Sequence, residues 1–222
     1  MQYKIHFGEQ GTEEWFWLRR GKITGSKVSD MITPAKLELS KSKEAKFVEW
    51  CILHEQRKDI SLDKIFDERL ETFEMRMGKE QEPEAKKWWK ATEDRWEDWK
   101  DISFVTHNSG LVGVSPDWVA LSRAGKIIEG LEVKCPQSKK GYSELVDCRC
   151  GEDLRVAKFD YYAQVQLCLW VTGLDSWTFL SYVNAAKRAD GAICNYFEVE
   201  KEPKIFGVFD LILENFQKQL SV

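Results

Sequence analysis

The chain has 222 residues, 43% hydrophobic and 32% charged with only five prolines, which excludes a disordered chain and suits one domain spanning residues 1–222. No apolar run approaches 18 residues and no charged-then-apolar leader opens the sequence, so a cytoplasmic protein, neither secreted nor membrane-spanning, is expected. The net charge of −4 excludes a nonspecific basic nucleic-acid binder, but not an enzyme that gathers its cations in one channel around a metal site.

The first element is a helix in "TEEWFWLRRGK": Thr12 caps it, Glu13 and Glu14 favour its first turn, Arg19 and Arg20 its last, and Gly21 ends it. A second helix follows in "ITGSKVSDMI" with Thr24 as N-cap, and Ile23 and Val28 occupy the two positions of a hydrophobic staple. The Gly25 and Ser26 amides and the Ser26 hydroxyl form a ready anion site close to Arg19, although an ordinary capped helix has the same signature. Residues 44 to about 75 read as helical, with Phe47, Cys51, Leu62, Phe66 and Phe73 inward. Lys36, Lys41, Lys43 and Lys46 form one basic cluster and Lys134, Lys139 and Lys140 another.

In "MGKEQEPEAKKWWKATEDRWEDW" Pro83 marks the first turn of a further helix. Glu82, Trp89 and Trp96 follow at seven-residue intervals, so the carboxylate lies at the edge of a core-facing stripe and needs a partner there.

"GLVGVSPDWVAL" and "KIIEGLEVKC" read as the two strands of a β-hairpin around Ser122-Arg123-Ala124-Gly125. With Ala124-Gly125 as a two-residue turn, cross-strand partners sum to 249 and Asp117 faces Glu132; a bulge at Glu129-Gly130 shifts this by one. Alternation turns Leu131, Val133 and Cys135 to one side and Glu132 and Lys134 to the other. Two carboxylates placed opposite each other repel. A divalent cation reverses that sign, and Mg²⁺ takes carboxylate oxygens while leaving positions open to a phosphate that Lys134 can also touch. A surface Glu-Lys pair is the plainer reading of "ExK" alone; "SPD" in register with it favours the cation.

A loop rich in charge and cysteine covers residues 137 to 156. Cys148-Arg149-Cys150 lacks zinc-knuckle spacing and no second close pair follows, so the six cysteines are expected as free thiols in a reducing compartment. "KFDYYAQVQLCLWVTG" is a helix apolar on nearly all sides and therefore buried. Gln164 and Gln166 point in nearly opposite directions on it. Gln166 shares a side with Ala163, Leu167 and Trp170 and is the one expected to face the hairpin, bonded to Lys134 or to DNA, or else to local backbone. "SWTFLSYVN" and "NYFEVE" complete the sheet, and "FGVFDLILENFQKQL" is a closing amphipathic helix.

Five ordered blocks, "LRRGKITGSKV", "MGKEQEPEA", "SPDWVA", "LEVKCP" and "YYAQVQLCLWVTG", resemble the phage lambda exonuclease and YqaJ-type viral recombinase family. The resemblance implies an α/β restriction-endonuclease-like PD-(D/E)xK core, a mixed sheet flanked by helices. It implies a metal-dependent 5′→3′ exonuclease that degrades one strand of linear double-stranded DNA for phage-type recombination. Asp117, Glu132, the Val133 carbonyl and Glu82 are then the ligands of Mg²⁺ (or Mn²⁺), two ions per site. Lys134 is the catalytic lysine, Gln166 matches the second glutamine of the QxQ element, and Arg19, Ser26 and Ser115 match positions that hold the 5′ phosphate. A homotrimeric ring, a single-strand annealing protein as partner and a phage- or prophage-encoded origin in a bacterial cytoplasm are implied in the same way. The hairpin is longer than in lambda exonuclease, Gly25 stands where alanine is common, and tryptophan is abundant over residues 88–99. A structure-specific or restriction-like endonuclease and a decayed nuclease kept for DNA binding are the alternatives. The 5′-phosphate residues disfavour the first, and the intact Glu82, Asp117, Glu132, Lys134 and Gln166 disfavour the second.

Overall fold

The computed structural model describes residues 3–40, 73–93, 95, 98–183 and 193–220. Most of the helix expected over 44–75, with Phe47, Cys51, Leu62 and Phe66, lies outside the described residues, as do Lys41, Lys43, Lys46 and Trp96. In chain order the elements are β1 (Tyr3–His6), α1 (Glu13–Arg19), β2 (Ile23–Thr24), α2 (Gly25–Val28), a 3₁₀ turn (Ser29–Met31), β3 (Ile32–Thr33), β4 (Glu38–Leu39) and α3 (Phe73–Thr92). β5 (Trp99–Lys100), β6 (Phe104–His107), β7 (Val112–Val114), β8 (Trp118–Leu121) and β9 (Ile127–Lys134) follow. The chain continues through α4 (Lys139–Leu145), α5 (Gly151–Ala157), α6 (Phe159–Thr172), β10 (Ser176–Val183), β11 (Ile193–Glu200) and α7 (Pro203–Leu220).

The main sheet has the order β11-β10-β9-β8-β5, with β9 and β10 parallel and the other pairs antiparallel. It is the mixed sheet expected. A second sheet has the order β1-β6-β7-β2, and β3 pairs with β4. Strand alternation decides what each face of the main sheet meets. Leu131, Val133, Leu180 and Tyr182 pack with Ala85 and Trp89 of α3 and with Trp99 and Trp118. Phe179, Phe197 and Val199 pack on the other side with α6 and α7, through Leu167, Leu169, Ile205 and Phe209. The indoles of Trp99 and Trp118 stack at 5.0 Å between centroids and Trp89 meets Trp99 edge-on at 6.5 Å, so this aromatic layer backs the strand that carries Glu132.

Three expectations about local structure change. The first strand of the hairpin is two strands: β7 belongs to the second sheet and β8 to the main one, and Ser115-Pro116-Asp117 crosses between them. Pro116 supplies no N–H, which ends the first ladder there. The hairpin turn is longer than two residues, closed by Gly125 N to Ser122 O and Ser122 N to Lys126 O, both 2.8 Å. This places Leu121 opposite Ile127, but a bulge between Leu121 and Ala120, with Ile128 the extra residue on β9, restores the sum of 249, with Val119 opposite Gly130 and Trp118 opposite Leu131. Two departures cancel, and the expected register holds at the Asp117 end. Gly130 is not itself the bulge; it is glycine because the indole of Trp177 lies over it, and a Cβ there would meet that ring at 2.1 Å. Finally, Pro83 sits inside α3, ten residues past its start, and does not open the helix.

The first two helices form as expected. Thr12 Oγ1 accepts the Trp15 amide at 3.3 Å. α2 is a single turn that continues into the 3₁₀ turn, with Ile23 and Val28 both buried and no side-chain cap bond from Thr24. No helix among the described residues is long and apolar enough to cross a membrane.

Candidate active site

The crossing segment brings Asp117 to the edge of β9, where the Val133 amide donates to its Oδ2 at 2.7 Å. Glu132 projects from the same strand to the α6 side and is fully buried. Its Oε1 accepts from Lys134 Nζ and from Gln164 Nε2, the latter at 2.6 Å. Its Oε2 is buried and has no hydrogen-bond partner. The Lys134 ammonium also lies 5.1 Å from the Tyr161 ring centroid. Across the cleft, Glu82 of α3 pairs with Lys86 at 2.5 Å, and Lys86 also reaches Asp101 at 2.7 Å.

The electrostatics follow from burial. Desolvation, then the charge of Glu132, pushes the Asp117 carboxyl up to about 7. Burial also raises Glu132, against the pull of Lys134. Glu82 is raised by burial first and by Asp117 second. The Lys134 ammonium is held above its ordinary range, since the two carboxylates outweigh its own desolvation. Three acids are thus crowded where each disfavours the charge of another.

That crowding is what a hard divalent cation relieves, and the unpartnered Glu132 Oε2 is an oxygen for it to take. Among the described residues no three acidic, histidine or cysteine side chains close on one point. Each acid is turned to a protein donor instead, Asp117 to the Val133 amide, Glu132 to Lys134 and Gln164, and Glu82 to Lys86. The donor set fits the ion once Lys134 and Lys86 yield.

Glu82 and Asp117 open on a cleft of about 700 Å³ lined also by Val133, Lys134, Tyr161, Gln164 and Ser26, while Glu132 stays buried behind it. The three residues expected to hold a 5′ phosphate come together beside it. Arg19 donates to Ser115 Oγ at 3.0 Å and to Ser26 Oγ at 3.1 Å, with its guanidinium 4.3 Å from the Trp15 ring centroid. Trp15 Nε1 also donates to Ser115 Oγ, at 2.9 Å. With two donors occupying its lone pairs, the Ser115 hydroxyl can direct its own proton only outward, as an anion requires.

One expected site residue does not reach the cleft. Gln166 is turned away: its Nε2 donates to the Glu200 carbonyl at 2.7 Å and its Oε1 accepts the Glu202 amide at 2.9 Å, so it ties α6 to the β11–α7 junction. The side it was expected to share is occupied elsewhere, with Trp170 stacked on His107 at 4.6 Å and bonded to Asp210 at 3.0 Å. Gln164 faces Glu132 in its place. The sequence carried one pointer to this: Gly25 of α2 lies against Gln164, where a Cβ would come within 3.0 Å of its Cγ. Trp15, Tyr161 and Lys86 were also missed, because aromatic and basic residues on helices read as core and surface.

Comparison with known proteins gives the family and the fold. The model of the YqaJ-like viral recombinase domain matches residues 14–175, and the chain belongs to that family. No curated protein matches its sequence. Among solved structures it is similar to an alkaline exonuclease from Laribacter hongkongensis, with a TM-score of 0.64 at 21% identity over 95% of this chain and 93% of that one. The same exonuclease in complex with dAMP aligns with a TM-score of 0.62 at 22% identity, over 95% and 93% of the two chains. A phage-related exonuclease from Haemophilus somnus 129PT aligns with a TM-score of 0.56 at 15% identity, over 89% and 92%. The fold is therefore that of the phage-type exonucleases of the PD-(D/E)xK class.

The raised Asp117 carboxyl gives a signed prediction. Its folded value, about 7, exceeds the ordinary 3.8, so the folded state binds the extra proton and loses stability as pH rises toward 7. Asn at this position escapes that loss. In EDTA, Asp117→Asn should gain stability relative to wild type by about 3 kcal/mol between pH 5 and pH 8. Urea denaturation of both proteins at the two pH values measures it, and parallel pH dependences would refute the raised carboxyl.

Proposed function

We propose that this protein is a divalent-metal-dependent exonuclease that digests one strand of linear double-stranded DNA from its 5′ end, in phage-type recombination. The observation that carries the reading is the one cleft lined by Glu82, Asp117, Lys134 and Ser26, with Glu132 buried and bonded to Lys134, and with Ser26 joined through Arg19 to Ser115. Ser115 and Asp117 are two residues apart, a span of at most about 7 Å. An end-phosphate pocket is thereby tied to a hydrolytic centre at the scale of one nucleotide. Family membership and the likeness to exonucleases support it.

Asp117, Glu132, the Val133 carbonyl and Glu82 would hold one or two Mg²⁺ or Mn²⁺ ions. When bound, the metal supplies an acidified water and neutralises charge on the scissile phosphate. Gln164 keeps Glu132 oriented, while Lys134, protonated throughout the neutral range, stabilises the negative charge that grows on the phosphoryl oxygens. Water adds to phosphorus, the bond to the 3′ oxygen of the terminal nucleotide breaks, and that oxygen leaves with a proton. A 5′-mononucleotide departs, and the shortened strand again ends in a 5′ phosphate. The dAMP held by the Laribacter exonuclease supports such a product.

Lys134→Ala should lower turnover on linear duplex in Mg²⁺ by at least about 100-fold with the fold intact, and Gln164→Ala by about tenfold. Gln166→Ala should cost stability and leave the rate per folded molecule near wild type, because its bonds are to backbone. Ca²⁺ should permit DNA binding without cleavage, and EDTA should abolish cleavage. Closed circular duplex should resist. Cleavage in EDTA, or of closed circles at the linear rate, would exclude the reading.

End recognition is separable from chemistry. A terminal phosphate carries more charge than an internal diester and gains more from a guanidinium. Arg19→Ala should slow digestion of 5′-phosphorylated duplex by about 10- to 100-fold and shorten processive runs, with little effect on 5′-hydroxyl duplex. Equal slowing on both would make Arg19 a plain backbone contact.

A homotrimeric ring threaded by duplex, with a single-strand annealing protein as partner, belongs to the same proposal and rests on the resemblance to lambda exonuclease. Light scattering at micromolar concentration should give three times the chain mass. Monomer at every concentration, with and without DNA, would rule out the ring.

A further inference from the structure

Gln10 lies on the loop between β1 and α1 and lines the cleft together with Glu82, Asp117 and Ser26. Its Nε2 donates to two carbonyls at once, Pro116 at 2.7 Å and Ile102 at 3.3 Å. These groups sit where the β6–β7 ladder fails. That antiparallel pairing sets Thr106 against Gly113 and Val105 against Val114, and a continued ladder would run Ile102 past Asp117. Pro116 has no N–H to donate, and the chain departs there for the other sheet. One side-chain amide, entering from a third segment, supplies the donor that the splayed end lacks.

The loop that carries Gln10 is fixed at both ends. The Ser103 amide and hydroxyl both donate to the His6 carbonyl, at 3.0 and 2.9 Å. At the other end the Thr12 hydroxyl donates to the Glu9 carbonyl at 2.9 Å while accepting the Trp15 amide in the first turn of α1. A tethered loop with a bidentate side chain behaves as a clamp. On either side of the clamped Pro116 stand Ser115, held by Trp15 and Arg19, and Asp117, held by the Val133 amide.

We propose that Gln10 is a positioning residue: by holding the Pro116 carbonyl it fixes the offset between the Ser115 hydroxyl and the Asp117 carboxylate, and so the length of the nucleotide step. This rests on the exonuclease reading above. A 5′ phosphate docked at Ser115 sets which diester reaches Asp117 only while the two side chains keep a constant spacing. Loosening the segment between them blurs that choice without removing a group that touches the phosphate.

The test uses the full chain with Gln10→Met, which keeps the size and loses the donor, and Gln10→Glu, which keeps the shape and presents acceptors to two carbonyls. Linear duplex with 5′-phosphate and 5′-hydroxyl ends is digested in Mg²⁺, and the earliest products are sized by mass spectrometry. Wild type should release mononucleotides and prefer the phosphorylated end. Both variants should release a mixture of mono- and dinucleotides. Their kcat on phosphorylated duplex should fall about 10- to 100-fold with KM changed less than about threefold, Glu more severely than Met. The preference for phosphorylated ends should narrow. A packing role predicts Glu equal to wild type and an unchanged product length. The side chain is exposed, so both variants should fold, and melting temperatures check it. If wild type cuts as described and both variants keep its product length and end preference, the clamp is wrong and the nuclease reading stands. If wild type does not digest linear duplex, the nuclease reading falls and this inference with it.

Discussion

The structure depends on a carboxylate that cannot reach water. Glu132 is fully buried on a central strand, and its charge is matched by one ammonium, Lys134, two residues along the same strand face. A lone buried carboxylate would be neutralised or expelled, so strand, lysine and the covering helix must be kept in mutual register. The parallel pairing of β9 with β10, the contact from Gln164 on α6 and the aromatic layer behind Leu131 and Val133 all serve that register. Breaking any one leaves a charge with a missing partner, which costs far more than the pair itself contributes. The crowding with Asp117 and Glu82 cannot be removed by better packing, because every added wall desolvates the acids further. The crowding itself costs stability, since each acid raises the cost of ionising its neighbours.

The second constraint is topological. Two sheets meet where β7 ends and β8 begins, and the three residues between them carry both a hydroxyl bonded to Arg19 and an acid bonded to β9. A crossing segment has no ladder to stiffen it, and proline at its centre removes the one amide that could have formed one. Rigidity comes from side chains instead, from Gln10, Trp15 and Arg19, all N-terminal to the second sheet strand β2. The N-terminal segment is thereby bound to the site by polar contacts as much as by packing.

Much of this was legible in the sequence, and the failures have physical causes. The acidic and basic residues of the hairpin were readable because strand periodicity is two, so face assignments survive small errors in register; here a longer turn and a bulge cancelled. Arg19, Ser26 and Ser115 were readable from helix-end chemistry and the family blocks, and they do meet. The choice between Gln164 and Gln166 was not readable. On a helix buried on all sides, polarity does not identify the face, and both glutamines satisfy the demand for buried hydrogen bonds. Of the neighbours chosen to decide it, Trp170 packs against His107 of β6 and Phe209 of α7. Pro83 misled because proline fits a first turn well, while an interior proline needs only one missing amide and local relief. Gln10 was invisible, since nothing local marks a glutamine whose partners lie 92 and 106 residues away.

Lys134 and Lys86 give the acidic centre a consistent logic. Each lysine neutralises an acid that a cation would otherwise neutralise, and each sits on a flexible stem that can withdraw. Arginine would hold the carboxylates in a planar fork and resist displacement. With an ion present, the positive charge would come from the metal, and the lysine ammonium at the cleft wall would be released toward an incoming phosphate. Lys134 is suited to that exchange because Tyr161 offers its ring to the displaced ammonium and the surrounding acids keep it protonated. The same residue can therefore be the counter-ion that lets Glu132 be buried and, under the proposed function, the charge that would meet a phosphate. The two roles demand the same chemistry: a point charge, always present, on a side chain free to move a few ångströms.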